Sequence, residues 1–133
     1  MRFMTLVKSS EGCGAPPPAL MEAISKISED AAKSGALLEA GGLAPSAISN
    51  RVRVSNGRVL VLDGPFAETK EVVGGFAVFE VSSKQEMIDA TIKFMELHRE
   101  HWPGWEGETE IRQVFGPDDF EAQCQQGNGE VKG

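Results

Sequence analysis

The sequence lacks several features that would assign a chemistry directly. It has no tyrosine, so no phenol can serve as an acid, and its two cysteines, Cys13 and Cys124, are too few for a four-thiolate zinc site. It also contains no P-loop, dinucleotide-binding glycine motif, H-E-x-x-H motif or nucleophile elbow. The sequence therefore indicates no cofactor and no metal.

Cationic residues and long apolar runs are also scarce. The 13 Lys and Arg residues against 20 Asp and Glu residues give a net charge of −7, which opposes binding to nucleic-acid phosphates. No run approaches the roughly 20 apolar residues of a membrane helix, and the N-terminal apolar run is too short for a signal peptide. We therefore expect a cytoplasmic protein with free thiols that binds neither nucleic acid nor a membrane.

The composition that is present is typical of one ordinary domain. Of the 133 residues, 41% are hydrophobic and 25% are charged, values that suit a globular chain with its own core. The residues after Gly116-Pro117 are mostly polar. We predict one domain over residues 1–117 and a polar, mobile C-terminal tail over residues 118–133.

The first part of the chain predicts a strand, a helix and a second strand. Residues 2–8 alternate loosely in polarity, as strands do. Pro18 can open a helix, because its missing N–H would be unpaired in the first turn anyway. Apolar residues then recur at helical spacing as far as Ser34-Gly35, a suitable helix end. Residues 36–43 predict a short strand that is broken by its two glycines.

The clearest local signal is Asn56-Gly57, the preferred two-residue turn of a type I′ hairpin, here between residues 48–55 and 58–62. The turn pairs Ser55 with Arg58, Val54 with Val59, and Val52 with Val61. One face then carries these four valines, whereas the other carries Arg51, Arg53, Arg58, Leu60 and Leu62. We expect the valine face to pack on another surface and the mixed face to meet solvent, a subunit or a ligand.

The rest of the chain predicts a central strand, a helix and a last strand. Residues 75–81 are apolar on nearly both faces, as in central strands. Ser83-Lys84-Gln85-Glu86 has the form of a capping box that opens a helix, and residues 108–115 predict the last strand. This order predicts an α+β fold, a ferredoxin-like sheet with an added β-hairpin and two helices on one face. Because two helices cover only one face, we expect a homodimer to bury the other.

The segment Asp63-Gly64-Pro65-Phe66-Ala67-Glu68-Thr69-Lys70-Glu71, followed by Gly74-Gly75-Phe76, resembles the YCII-related family and specifically its DGPF-domain branch. The resemblance covers most of the chain and implies a dimeric α+β barrel of ferredoxin-like subunits. It also implies a functional link to extracytoplasmic-function sigma factors, because genes for DGPF proteins often lie beside theirs. Other members carry a His–Asp pair to which acid–base chemistry is attributed. Asp63 could match the Asp, but no histidine of this chain evidently matches the His.

Asp63 is the candidate catalytic residue. As a general base at the mouth of a barrel, it would need a raised pKa from burial or from a carboxylate such as Glu68. The alternative is a turn residue whose carboxylate accepts backbone N–H bonds. Five further side chains are candidate ligand-binding residues: Arg53, Phe66, Glu68, Lys70 and Arg112. Lys70 could equally pair with its acidic neighbours, and Arg53 could face water or pair across a dimer.

The two histidines offer a weaker signal. His98 and His101 are three apart and share a helix face, but two imidazoles do not make a metal site. We interpret them instead as residues of a helix terminus, where they suit the negative end of the helix dipole. Cys13 lies in a glycine loop without a basic neighbour, so we do not treat it as catalytic.

Two functions from different classes follow, and the sequence leaves open whether the protein is an enzyme. The first is binding of a small molecule, with an anionic one as an open option, in a barrel pocket near Asp63, with acid–base chemistry if there is a reaction. The second is a non-catalytic protein-interaction module linked to a sigma factor. An enzyme requires Asp63 inside a concave pocket, whereas an interaction module requires an exposed apolar patch beyond the dimer interface.

Overall fold

The computed structural model describes residues 1–66, 71–117 and 119. Its strands and helices are β1 (Arg2–Ser9), α1 (Pro18–Lys33), β2 (Leu37–Gly42), β3 (Asn50–Ser55), β4 (Arg58–Asp63), β5 (Val72–Glu80), α2 (Lys84–His101) and β6 (Gly107–Gln113). Two short 3₁₀ turns occupy Glu11–Cys13 and Ser46–Ile48. The predicted α+β fold is confirmed, while most of the predicted tail lies outside the described residues.

The main sheet is antiparallel and has the strand order β2-β5-β1-β6. β5 lies between β1 and β2, which confirms the central strand that its apolar faces predicted. Since side chains alternate along β1, Phe3, Thr5 and Val7 face the helices, whereas Met4 and Leu6 face away. The latter two are half-buried in the single chain, and the homodimer stays a prediction.

Capping chemistry places both helices where the sequence predicted them. Pro18 is the first residue of α1, and Gly35 follows its end at a φ of 86°, a conformation that favours glycine. At the start of α2, the Ser83 hydroxyl accepts a hydrogen bond from the Glu86 N–H at 3.1 Å. The Glu86 carboxylate in turn accepts from the N–H of Ser82 at 2.7 Å, one residue earlier than in the usual capping box.

The strand β2 corrects one expectation. It runs through its two glycines rather than being broken by them. The reason lies across the ladder, where Gly41 is paired with Phe76. A Cβ at Gly41 would lie 3.0 Å from the Phe76 ring, so the glycine leaves room for that ring and the strand continues.

The hairpin of β3 and β4 forms a sheet of its own. Its register is the predicted one, and Asn56 and Gly57 adopt φ values of 52° and 74°, as a type I′ turn requires. The first strand begins at Asn50, because Ser46–Ile48 forms a 3₁₀ turn where the sequence predicted a strand. The valine face is open in the single chain, with exposed fractions of 68% for Val52, 75% for Val54, 69% for Val59 and 70% for Val61.

The core lies between the main sheet and the helices. Among the described residues, the fully buried apolar side chains are Phe3 of β1, Leu20 of α1 and Met87 of α2, so the sheet and each of the two helices contribute one. No helix in the described part of the chain is long and apolar enough to cross a membrane.

Candidate functional site

A partly open cavity of about 750 Å³ lies between the helices and the main sheet, beside the packed core. Side chains of β1 and β5 form its floor, and side chains of α1 and α2 form its roof. Representative lining residues are Thr5, Val7 and Ala77 on the sheet, and Ile24, Ile27, Phe94 and His98 on the helices. Two tryptophans, Trp102 and Trp105, line it just after α2 ends. The two helices thus leave a partly open hollow against the sheet, next to the packed core.

The charge of the lining limits what the cavity can hold. Of the described residues that line it, two carry carboxylate or ammonium groups, Asp30 and Lys93, and both are exposed. They therefore lie towards the rim. The interior offers no cation to an anionic ligand, and burial of an unpaired charge is costly. The cavity is suited to a neutral and mainly apolar molecule.

His98 is the buried imidazole of this cavity, with 6% of its surface exposed. Its Nδ1 lies 3.0 Å from the Phe94 carbonyl oxygen, one turn earlier on α2. Its ring lies between two aromatic rings, with centroid distances of 4.7 Å to Phe94 and 4.6 Å to Trp105. Trp102 stacks on Trp105 at 5.8 Å. The result is one polar ring within an aromatic wall.

The two histidines of the predicted helix terminus have different surroundings. Both lie in the last turn of α2. His101 is half-buried, does not line the cavity, and has its Nε2 4.0 Å from the Glu100 carboxylate. In the described part of the chain, no group of three or more His, Cys, Asp or Glu side chains could hold a metal ion. His98 and His101 are therefore separate features.

Sequence reasoning did not identify His98 as a cavity residue, although the sequence carries a signal. Met87, Thr91, Phe94 and His98 follow one another at spacings of four, three and four, and all four line the cavity. The apolar face of α2 thus ends in a histidine. A polar residue that continues an apolar helical stripe is a candidate buried polar group.

A smaller and more polar depression of about 470 Å³ adjoins the cavity. The two share four lining residues, Ser10, Cys13, Trp102 and Trp105. The carboxylate-bearing residues Glu71 and Glu106 also line the depression. Cys13 is an exposed free thiol. This depression provides a polar approach to the aromatic end of the cavity.

The described part of the Asp63 motif lies at the base of the hairpin. Asp63 ends β4, is exposed, and accepts a hydrogen bond from the Asn50 side-chain amide of β3. It is not among the described residues that line the cavity. Glu68 and Lys70, two predicted ligand-binding residues, lie outside the described residues. The alternative interpretation is a turn residue whose carboxylate accepts backbone N–H bonds. Asp63 does accept a hydrogen bond, but from the side-chain amide of Asn50.

Gly64 and Phe66 join the hairpin to the segment that precedes it. The Gly64 N–H donates to the Ser49 carbonyl at 2.9 Å, and a Cβ at Gly64 would lie 1.6 Å from the Ser46 carbonyl oxygen. Only glycine allows this approach. The Arg51 guanidinium lies over the Phe66 ring, 3.9 Å from its centroid, a cation–π contact. The motif therefore has an evident structural role in the described residues.

The two predicted arginines are not gathered around Asp63. Arg53 is exposed and, by alternation along β3, lies on the hairpin face opposite to Asp63. Arg112 belongs to the other sheet and pairs with Glu110. Glu110 also pairs with Lys8, and the hydrogen bonds from these two cations lower its pKa from 4.5 to about 2. Arg112 therefore belongs to a surface charge network.

Comparisons with known proteins agree with this fold. A family model described as the YCII-related domain matches residues 1–94. An uncharacterised protein of Rhizobium meliloti (strain 1021) is 34% identical over 70 residues, which cover 53% of this chain and 56% of that relative. The matched region thus spans little more than half of either protein. On the family match, which covers most of the chain, the protein belongs to the YCII-related family.

Proposed function

We propose that the protein is a DGPF-branch member of this family that binds a small, neutral and mainly apolar molecule between the main sheet and the helices. The observation that carries the proposal is the cavity. Its volume of about 750 Å³ lies within the range of small-molecule pockets, roughly 300–1,000 Å³, which are mostly apolar with a few polar groups. The motif that begins at Asp63 supports the DGPF assignment.

The cavity supports a neutral ligand better than the anionic ligand expected from the sequence. Its described charged residues, Asp30 and Lys93, are exposed, and its buried polar side chains, Thr5 and His98, are uncharged donors or acceptors when the imidazole is neutral. Aromatic rings at one end offer a surface for stacking. The ligand is therefore expected to combine an apolar body with few polar atoms.

The tryptophans provide a direct test. The chain has two tryptophans, and both line the cavity. The probe is N-phenyl-1-naphthylamine, a neutral molecule that accepts excitation energy from tryptophan and fluoresces in apolar surroundings. We expect saturable binding with energy transfer from Trp102 and Trp105, whereas an anionic analogue that carries a sulfonate binds more weakly.

A pair of matched variants locates the probe. Ala77→Met adds volume at the floor of the cavity, and we expect it to weaken probe binding about tenfold, a cost near 1.4 kcal/mol. Ala32→Met adds the same atoms to an exposed residue of α1 outside the lining and should leave binding unchanged. Equal binding by both variants, or no saturable binding by the wild type, would contradict the proposal.

A second role is favoured by the exposed valine face of the hairpin. Four valines on one face are each at least 68% exposed, and an apolar surface of this kind is typical of an interface. We propose that a second copy of the chain covers it in a homodimer. Light scattering should then show a dimer that Val54→Lys dissociates, while Leu60→Lys on the mixed face leaves it intact. A wild-type monomer at micromolar concentration would contradict this proposal.

Two expectations from the resemblance remain predictions. Acid–base chemistry at Asp63 gains no support from its exposure or from its contact with Asn50. If Asp63 is catalytic, Asp63→Asn would abolish turnover of a bound substrate without loss of binding. The link to an extracytoplasmic-function sigma factor requires direct binding, which calorimetry with the purified sigma factor would measure.

A further inference from the structure

The tautomer of His98 sets the polarity of the cavity wall. Its Nδ1 lies 3.0 Å from the Phe94 carbonyl oxygen. A carbonyl oxygen accepts hydrogen bonds and cannot donate them, so Nδ1 carries the hydrogen. In the neutral ring, Nε2 then bears a lone pair and is an acceptor. The helix itself thus fixes which nitrogen is offered to a ligand.

This Nε2 faces the cavity without a protein donor. Within the described ranges, the hydrogen bond to Phe94 is the one that the ring makes. Across the same residues, no side-chain nitrogen or oxygen is sealed from solvent without a partner. Among these residues Nε2 has no such partner and therefore keeps some accessible surface, and the cavity is the pocket that His98 lines. Nε2 is therefore an acceptor that a cavity ligand can reach.

The other uncharged polar side chains of the described lining do not offer a ligand an atom that only accepts hydrogen bonds. The hydroxyl of Thr109, a half-buried lining residue, already donates a hydrogen bond to the Met95 sulfur at 3.1 Å. Thr5, which is 6% exposed, lines the floor, but a hydroxyl both donates and accepts. Nε2 of the neutral ring can only accept. Among the buried polar side chains of the described lining, His98 is thus the one whose free ring nitrogen offers a lone pair and no hydrogen.

We infer that His98 Nε2 accepts a hydrogen bond from the hydroxyl group of a neutral, aromatic ligand, and so selects hydroxylated aromatics over their ethers. The aromatic body would contact the wall formed by Phe94, Trp102 and Trp105 around the imidazole. The inference rests on the proposed function, since it names the class of molecule that the cavity takes.

The test compares 4-phenylphenol with 4-methoxybiphenyl, two ligands of similar shape of which only the first donates a hydrogen bond. Each displaces N-phenyl-1-naphthylamine from the full-length protein at about pH 8, where an ordinary imidazole is neutral. The phenol should bind about fivefold to tenfold more tightly than the ether, as one hydrogen bond to a buried acceptor predicts. Equal affinities in the wild type would overturn the inference.

The chain provides a matched pair of variants, since it has two histidines on one helix. His98→Phe keeps a ring against Phe94 and Trp105 but removes the acceptor, and the preference for the phenol should fall to about onefold while the ether binds as before. His101→Phe makes the same change outside the cavity and should keep the wild-type preference. An unchanged preference in His98→Phe would overturn the inference.

A measurement on the wild type serves where His98→Phe fails to fold. Nitrogen NMR distinguishes the two ring nitrogens of His98. Its Nε2 resonance should shift on addition of 4-phenylphenol and not on addition of 4-methoxybiphenyl, while the His101 resonances stay fixed. Identical shifts with both ligands would contradict the inference. Failure of the protein to bind N-phenyl-1-naphthylamine at all would instead contradict the proposed function.

Discussion

Side chains alternate between two faces in both the main sheet and the hairpin, but the burial of those faces differs. In β1 the inward side chain of Phe3 is 2% exposed beneath the helices, whereas Val54 in β3 is 75% exposed on a hairpin that forms its own sheet. Alternation therefore determines which residues share a face, but not what covers that face. The helices of the same chain cover the Phe3 face of β1, and we propose that a second copy of the chain covers the valine face of β3.

The largest expected difference between the two regions is in stability. Leu20→Ala removes a fully buried side chain and should cost about 3 kcal/mol, including the cavity it leaves. Val52→Ala removes an exposed side chain and should cost about 0.5 kcal/mol or less in the monomer. Urea unfolding, at a protein concentration where light scattering shows a monomer, measures both. Similar losses in the free energy of unfolding would show that the two regions do not differ in burial as described.

The junction between the regions gives the next largest effect. Gly64→Ala places a Cβ 1.6 Å from the Ser46 carbonyl oxygen, so the hairpin base must shift at a cost of about 1–3 kcal/mol. Amide hydrogen exchange should show loss of protection in β3 and β4 with β1 and β5 retained. Gly12→Ala is the control, since a Cβ there meets nothing within 4 Å. Uniform loss of protection would mean that the two regions unfold together.

The smallest effect concerns acid stability on the main sheet. The pKa of Glu110 is lowered from 4.5 to about 2 by hydrogen bonds from Lys8 and Arg112. A lowered carboxylate pKa stabilises the folded state above the unfolded pKa, and that stability is lost as the pH falls towards 2. Glu110→Gln should therefore flatten the acid side of the stability curve.

The exposed Glu22→Gln on α1 is the control for this experiment. Thermal unfolding between about pH 5 and pH 2 should show a smaller loss of stability for Glu110→Gln than for either the wild type or the control. A wild-type slope in Glu110→Gln would show that the charge network does not contribute. Because the network is on the surface, high salt should reduce the difference.

Local chemistry made most of the fold predictable from sequence. Asn56-Gly57 determined the hairpin register, and Pro18 and Ser83 determined where the helices begin, because each acts through neighbours in the chain. The error at residues 48 and 49 has the same origin. The polarity of residues 48 and 49 fits the alternation of the strand that follows, but the chain forms a 3₁₀ turn at Ser46–Ile48 before β3 begins.

The candidate site was less predictable because it depends on packing between distant segments. The sequence places Asp63 in a motif, but its exposure and its contact with Asn50 follow from hairpin pairing. His98 could be assigned to a helix end, but the cavity beside it is lined by residues of both helices and of the main sheet, with Trp105 against the imidazole. The hollow is therefore not encoded locally, whereas the His98 tautomer follows from a contact with Phe94 one turn earlier on the same helix.

Methyl NMR with 4-phenylphenol tests the central claim most directly, because it distinguishes binding in the cavity from binding on the exposed valine face of the hairpin. The cavity predicts shifts at the methyl groups of Ile24, Ile27 and Met87, which line it, and none at the exposed valines of the hairpin. Shifts confined to Val52, Val54, Val59 and Val61 would place the ligand on the valine face of the hairpin instead and would contradict the account.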